Sequence, residues 1–226
     1  MPRRARPIVA IDGPAGAGKS TVARLVADAL RFVLVDTGAI YRAVALASER
    51  AGVAWSDGPA LGKLARELVQ HASIRFEGSS VRLGGEDVSA AIRTPQIGMG
   101  ASQVSAHPDV RAALLDLQRQ AGAEGGVVLE GRDIGTVVFP DAEVKVFLTA
   151  PPEVRAHRRF EELTAKGMTN VTLAKTLEEV QKRDAQDMGR EHAPLRQADG
   201  ATLVESSSLS IDETVSRIVE LVRAAS

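Results

Sequence analysis

Gly13-Pro14-Ala15-Gly16-Ala17-Gly18-Lys19-Ser20, followed by Thr21, fits the pattern G-x-x-x-x-G-K-[ST] without a mismatch. Upstream, Pro7-Ile8-Val9-Ala10-Ile11 reads as a buried strand, and downstream Thr21 to Leu30 reads as a helix. Strand, glycine-rich loop and helix in that order are what a phosphate-binding P-loop requires. Glycines let the backbone wrap a phosphate with its N–H groups pointing inward, where a Cβ would clash. The helix that follows offers its N-terminal N–H groups and dipole to an anion. In this reading Gly13 through Thr21 cradle the phosphates of a nucleotide. Lys19 reaches the terminal phosphates and Ser20 offers its hydroxyl to Mg²⁺. The bland alternative is a glycine-rich turn that matches by chance, and the flanking strand and helix weigh against it.

The 226 residues, 44% of them hydrophobic, suit one α/β domain carrying insertions or a small appendage. A net charge of −1 argues against a general nucleic-acid-binding surface. Arginine supplies most of the 28 basic residues. Arginine is the better bidentate phosphate ligand, but a compositional bias explains the number equally well, so position has to decide. Cysteine is absent, which removes disulfides, thiolate metal sites and cysteine nucleophiles. The start, Met1-Pro2-Arg3-Arg4-Ala5-Arg6, is basic, but the apolar run behind it is too short for a signal-peptide core. No apolar run approaches membrane-spanning length. These features predict a cytoplasmic protein with no membrane or nucleic-acid partner, and no heptad seam is visible.

Five short apolar runs read as buried parallel strands: 8–12, 32–36, 127–130, 144–149 and 201–205. Helical patterns over 21–30, 39–51, 109–121, 152–166, 173–188 and 211–225 separate or follow them. Strands alternating with helices predict a doubly wound five-stranded parallel sheet with helices on both faces. Ligands of such sheets bind beyond the carboxyl ends of the strands, where Asp12, Asp36, Glu130 and the P-loop fall. One segment breaks the alternation. Ile74–Glu77, Gly78-Ser79-Ser80, Val81–Leu83 and Gly84–Val88 read as a small antiparallel meander with tight turns. Residues 63–104 are therefore expected to form a subdomain inserted in a single 1–226 kinase-like domain.

A P-loop alone gives nucleotide binding, not an activity. The guanine-reading N-K-x-D motif is absent, since Val171 and Thr172 follow the single asparagine, Asn170. Small size, a P-loop near the start and arginine-bearing segments downstream suggest a small-molecule kinase. Those segments are Asp36-Thr37-Gly38-Ala39-Ile40-Tyr41-Arg42, Glu130-Gly131-Arg132-Asp133-Ile134-Gly135-Thr136-Val137-Val138-Phe139-Pro140, Arg155-Ala156-His157-Arg158-Arg159, and Arg183-Asp184 through Asp187 to Arg190. Together they closely resemble the bacterial cytidylate kinases of the nucleoside-monophosphate kinase group, from about residue 7 to the end. The resemblance implies the reaction ATP + CMP → ADP + CDP with Mg²⁺, and the same reaction on dCMP. A kinase for another small acceptor such as UMP or shikimate, and a non-catalytic ATP-binding module, are the competing readings.

The resemblance also implies site residues. Arg155, Arg158 and Arg159 share a helix face by spacing, and the resemblance makes residues 152–190 a helical lid closing over ATP phosphates. A solvated face paired with Glu161 or Glu162 is the alternative. Arg183 and Asp187 are matched to the nucleotide sugar with Ser102, and Arg190 to phosphate. An ordinary i,i+4 ion pair is the alternative there. Arg42 and Arg132 match the acceptor-phosphate arginines. Lys19, Arg132, Arg155, Arg159 and Arg190 are thus the expected catalytic cations. Asp133 and Arg111 stand where the family reads cytosine, with Thr37 assisting; Asp133 as a structural partner of Arg132 or Arg183 is the alternative. Cytosine presents an amino donor beside two acceptors, which a carboxylate and an arginine complement. The meander is expected to move with the acceptor-binding region. His71, His107, His157 and His192 form no cluster in the sequence, and Tyr41 is better placed as core than as a ligand contact.

Overall fold

The computed structural model describes residues 4–77 and 80–225; the expected Gly78-Ser79 turn tip and the first three residues of the basic start lie outside them. The elements begin with β1 (Ile8–Asp12), α1 (Lys19–Leu30), β2 (Val33–Asp36), α2 (Thr37–Arg50) and α3 (Gly58–Gln70). Next come β3 (Ile74–Glu77), β4 (Ser80–Leu83), β5 (Glu86–Asp87), a 3₁₀ turn (Ala91–Arg93), α4 (Pro95–Val104) and α5 (Pro108–Gly122). The chain continues through β6 (Val127–Gly131), a wide turn (Ile134–Val138), β7 (Val144–Thr149), α6 (Pro152–Ala165), α7 (Leu173–Met188), β8 (Thr202–Glu205) and α8 (Ile211–Ala225). They fall into two compact units. One runs up to Val35 and resumes at Gly122; the other is Asp36–Ala121.

The first unit is built on a five-stranded parallel sheet of order β2-β6-β1-β7-β8. β1 lies in the middle, in register with β6 from Ile8↔Val127 to Asp12↔Gly131 and with β7 from Val9↔Val144 to Asp12↔Phe147. Every residue of β1 is buried, which is why it reads as an unbroken apolar run rather than an alternating one. Val9, Ile11, Val128, Val146 and Leu148 pack against Val22 and Val26 of α1 and Ile218 and Val222 of α8. The predicted strands appear within a residue of their expected ends. α1 starts at Lys19 instead of Thr21 because Gly18, with φ near +86°, already serves as its N-cap.

The second unit gathers Ile40, Val44, Leu61, Ile92, Val104, Val110 and Leu114 into its own core. β3, β4 and β5 form the expected antiparallel meander. α4 is an addition to the helices read from the sequence, where Gly98 and Gly100 weaken the helical pattern. Thr94 caps it, accepting the Ile97 N–H at 3.3 Å, and Pro95 stands at its first position. The glycines serve packing: a Cβ on Gly100 would sit 2.5 Å from the Trp55 ring, and one on Gly98 would sit 3.1 Å from the Arg42 guanidinium. Asp36 and Asp57 cap α2 and α3 in the same way, at 2.9 and 3.1 Å. Among the described residues no helix is long and apolar enough to cross a membrane.

The tightest backbone approach in the first unit lies at Gly13, where a Cβ would fall 1.9 Å from the Leu148 carbonyl oxygen of β7. At Gly18 nothing lies within 4 Å and only the left-handed φ opposes a side chain. Gly18→Ala should therefore cost about 1–2 kcal/mol, the price of a left-handed alanine. Gly13→Ala should cost more than about 3 kcal/mol, because backbone must move. Urea melts of the two variants check this, and equal costs would contradict the packing described.

Candidate active site

The P-loop turns out of β1 and enters α1 with no side chain capping the helix and no acidic residue in its first turn. The N–H groups at that helix end have no side-chain acceptor, an arrangement that suits an anion. Lys19 is buried and folds back to donate to the Pro14 carbonyl at 2.7 Å. Burial, then the charge of Arg132, push its ammonium down to about 7, against the pull of Glu130, Asp187 and Asp12. Ser20 is exposed at the first turn of α1. The loop is braced from behind by Arg155 of α6, whose guanidinium donates to the Ala15 carbonyl at 2.9 Å and the Ala150 carbonyl at 2.7 Å. The same guanidinium pairs bidentately with Asp184 of α7, at 3.0 and 2.5 Å.

Beside this lies a cluster of guanidinium groups on one carboxylate. Asp187, near the end of α7, accepts from Arg132 at 2.8 Å and from Arg190 at 2.5 Å. Burial opposes its ionisation, but Arg132, Arg190 and Arg183 outweigh it and hold the carboxyl below its ordinary value. Asp133 and Glu130 are buried in the same region. Asp12, at the end of β1, accepts the backbone N–H groups of Ile134 and Gly135 at 2.8 and 2.7 Å. Burial raises its carboxyl to about 6, with Asp133 adding to the rise and the two N–H groups and Lys19 opposing it.

The structure therefore brings Lys19, Arg132, Asp187 and Arg190 together, with Arg183 acting on the same carboxylate. It treats the three arginines of α6 differently. Arg155 is buried in the bonds above. Arg158 donates to the Ser206 hydroxyl and carbonyl at 3.1 and 2.6 Å. Arg159 pairs with Glu162 at 2.8 Å on the surface, the alternative weighed for that face.

The other expected residues belong to the second unit. Thr37 is buried at the first position of α2. Arg42 donates to the Ile92 carbonyl at 3.1 Å. Arg111 donates to the Ser105 carbonyl at 3.3 Å, and its guanidinium lies 5.6 Å from the centroid of the Tyr41 ring. Tyr41 is itself core. Ser102 is half-buried on α4. Arg93, which carried no sequence signal, pairs with Asp36 at 3.3 Å. Asp12 and Asp184 were also missed as partners. The one available hint was that Asp12 directly precedes the P-loop. The histidines are dispersed: His107 meets the Trp55 carbonyl at 2.9 Å, His71 the Glu67 carbonyl at 2.8 Å, and His157 faces Glu161 at 3.9 Å.

Comparison with known proteins identifies the family. A family model described as cytidylate kinase matches residues 9–224. The chain is 54% identical to a cytidylate kinase of Syntrophotalea carbinolica over 95% of its own length and 91% of that protein. It is also 54% identical to one of Geobacter sulfurreducens, covering 96% and 92%. Among solved structures it is similar in fold to an uncharacterized protein from Eubacterium ventriosum, with a TM-score of 0.54 at 14% identity over 97% and 99% of the two chains. A shikimate kinase from Bacteroides thetaiotaomicron gives 0.50 at 14% identity over 96% and 98%. With its P-loop, its arginine cluster and a match over nearly its whole length, the chain belongs to the cytidylate kinase family.

Proposed function

We propose that the protein transfers the terminal phosphoryl group of ATP to CMP, and to its deoxy counterpart, giving ADP and the corresponding diphosphate. The observation that carries this is a second cationic site next to the P-loop, with Arg132 and Arg190 held on Asp187. A pure ATP-binding module has little use for it. The acceptor is a phosphate oxygen already ionised near neutral pH, so no general base is needed. Catalysis is then positioning plus stabilisation of charge around the transferring group. That fits a site rich in cations whose histidines lie elsewhere.

In this reading the P-loop from Gly13 to Thr21 binds the triphosphate. Lys19 exchanges the Pro14 carbonyl for phosphate oxygens, and Arg132 and Arg42 take the acceptor phosphate. Arg183, Asp187 and Ser102 hold the sugar, and Arg190 turns from Asp187 to phosphate. Asp133 and Arg111 read the cytosine edge, with Thr37 assisting. Residues 63–104 serve acceptor binding. Residues 152–190 act as the lid, with Arg159 trading Glu162 for phosphate and Arg155 holding the P-loop. The protein acts on free nucleotides as a cytoplasmic monomer.

Magnesium suits the donor set present. Among the described residues no cluster of three acidic, histidine or cysteine side chains forms a metal cage. Ser20 instead presents an exposed hydroxyl at the helix start. A hard cation that keeps its waters and takes one protein hydroxyl plus phosphate oxygens fits that arrangement. When bound, it supplies charge neutralisation on the transferring phosphate.

Steady-state assays with CMP, dCMP, UMP and AMP test the acceptor. Cytosine nucleotides should be preferred, because uracil turns an acceptor towards Asp133 at a cost of about 1–3 kcal/mol. Asp133→Ala should lose most of the preference for CMP over UMP; a variant that still discriminates strongly contradicts the base reading. A second prediction concerns Asp187. Its folded-state pKa lies below the ordinary value, so the stability it lends is complete above about pH 4. That contribution is lost as pH falls through the folded value. Asp187→Asn should therefore lower stability by about 3 kcal/mol at pH 7, and the gap from wild type should close on acidification below pH 4. A gap independent of pH in thermal melts would refute it.

A further inference from the structure

Asp12 joins two parts of the site that are far apart in the chain. It is the last residue of β1 and directly precedes Gly13 of the P-loop. On one side it is in register with Gly131, the last residue of β6. From Gly131 the chain runs through Arg132 and Asp133 into a wide turn. In that turn the Val137 and Val138 N–H groups both reach the Asp133 carbonyl, at 2.9 and 3.2 Å, and the Phe139 N–H reaches the Ile134 carbonyl at 2.7 Å. The first N–H groups of such a turn have no partner within it. Asp12 takes them, one per oxygen: Ile134 on Oδ1 at 2.8 Å and Gly135 on Oδ2 at 2.7 Å. With both oxygens engaged and the residue 3% exposed, the carboxylate is a two-point anchor.

We propose, building on the kinase reading above, that Asp12 is a positioning residue: its carboxylate fixes the Asp133–Val138 turn, and so the placing of Arg132 and Asp133, relative to the P-loop. A buried carboxylate is an expensive anchor where an apolar contact would hold a turn as firmly. What it adds is direction. Two charge-assisted bonds to consecutive N–H groups set both the position and the rotation of the backbone. Arg132 and Asp133 immediately precede that turn, and phosphoryl transfer is sensitive to displacements of about 1 Å. Gly135 is closely surrounded on the far side of the joint. A Cβ on Gly135 would lie 3.4 Å from Asp12 Oδ2 and 3.2 Å from both the Lys145 side chain and Ala198 Cβ.

The charged groups facing Asp12 are Lys19 from α1 and Asp133 from the turn, with Lys145 of β7 reaching the turn beside it. Because burial raises the carboxyl to about 6, the anchor should weaken as the pH falls towards 5. The amide ¹⁵N signals of Ile134 and Gly135 in the ligand-free protein should report this by titrating with a midpoint near 6.

Asp12→Asn keeps the shape but sets an amide N–H₂ against one of the two N–H groups. Gly135→Ala crowds the same joint and leaves the charge in place. Each should lower kcat with CMP at least tenfold and narrow the CMP-over-UMP ratio by a similar factor, with the KM for ATP within threefold of wild type. The ¹⁵N titration should vanish in Asp12→Asn. A role confined to holding the fold would lower thermal stability and leave kcat, the ratio and the KM of the folded fraction unchanged, which would overturn the proposal. Ile134 and Gly135 amide ¹⁵N signals that do not change across the ionisation of Asp12, followed on its own carboxyl ¹³C signal, would also overturn it, and that measurement does not depend on either variant folding. Wild-type protein inactive on every cytosine nucleotide would instead refute the kinase reading.

Discussion

Ionised groups taken out of water have to be balanced by one another, and this constraint governs the carboxyl end of the central sheet. Lys19, Asp12, Glu130, Asp133 and Asp187 are all buried there, beside Arg132, Arg183 and Arg190. An unpartnered charge in such a place costs several kcal/mol. The connections around the site follow from meeting that requirement in the ligand-free protein. Asp187 carries Arg132 and Arg190, Asp184 carries Arg155, Asp12 carries two backbone donors, and Lys19 rests on a P-loop carbonyl. In the proposed reading a polyphosphate enters by replacing the Asp187 carboxylate on Arg190 and the Pro14 carbonyl on Lys19, while Asp12 keeps its two backbone donors. The cations are then already near their working places, which keeps the reorganisation needed for catalysis small.

The same arrangement explains why the P-loop backbone is so demanding. Its first glycine lies against the Leu148 carbonyl of the neighbouring strand, while Arg155 pins the loop from outside through the Ala15 carbonyl. Strand, loop and helix are thus held from both sides. The lowered pKa of Lys19 follows from its burial at this junction and then from the charge of Arg132. Incoming phosphate charge would reverse it.

The parallel sheet and the P-loop were legible in the sequence because both rest on short-range signals. Buried strands such as Ile8–Asp12 are continuous apolar runs, and the glycine spacing of the loop is a backbone requirement written in residue type. α4 was not legible. Gly98 and Gly100 weaken its helical pattern, and the Trp55 and Arg42 side chains that fill the space they leave are remote in sequence. The arginine-rich segments were identifiable, but not what each arginine does. Spacing put Arg155, Arg158 and Arg159 on one face, whereas their partners come from Asp184, Ser206 and Glu162, two of them remote in sequence. The bond from Asp12 to Ile134 and Gly135 spans more than a hundred residues, and no local pattern announces it. The second compact unit runs from Asp36 to Ala121 because residues of α2 and α5 pack into its core, contacts that no local pattern announces.

The most direct test of this account follows the transferred group itself. Purified protein is mixed with ATP labelled on its γ-phosphate, CMP and magnesium, and the products are separated within a single turnover. The account predicts that the label appears in CDP, with little released as inorganic phosphate. Label that stays in ATP, or appears only in inorganic phosphate while the protein remains folded, would contradict it.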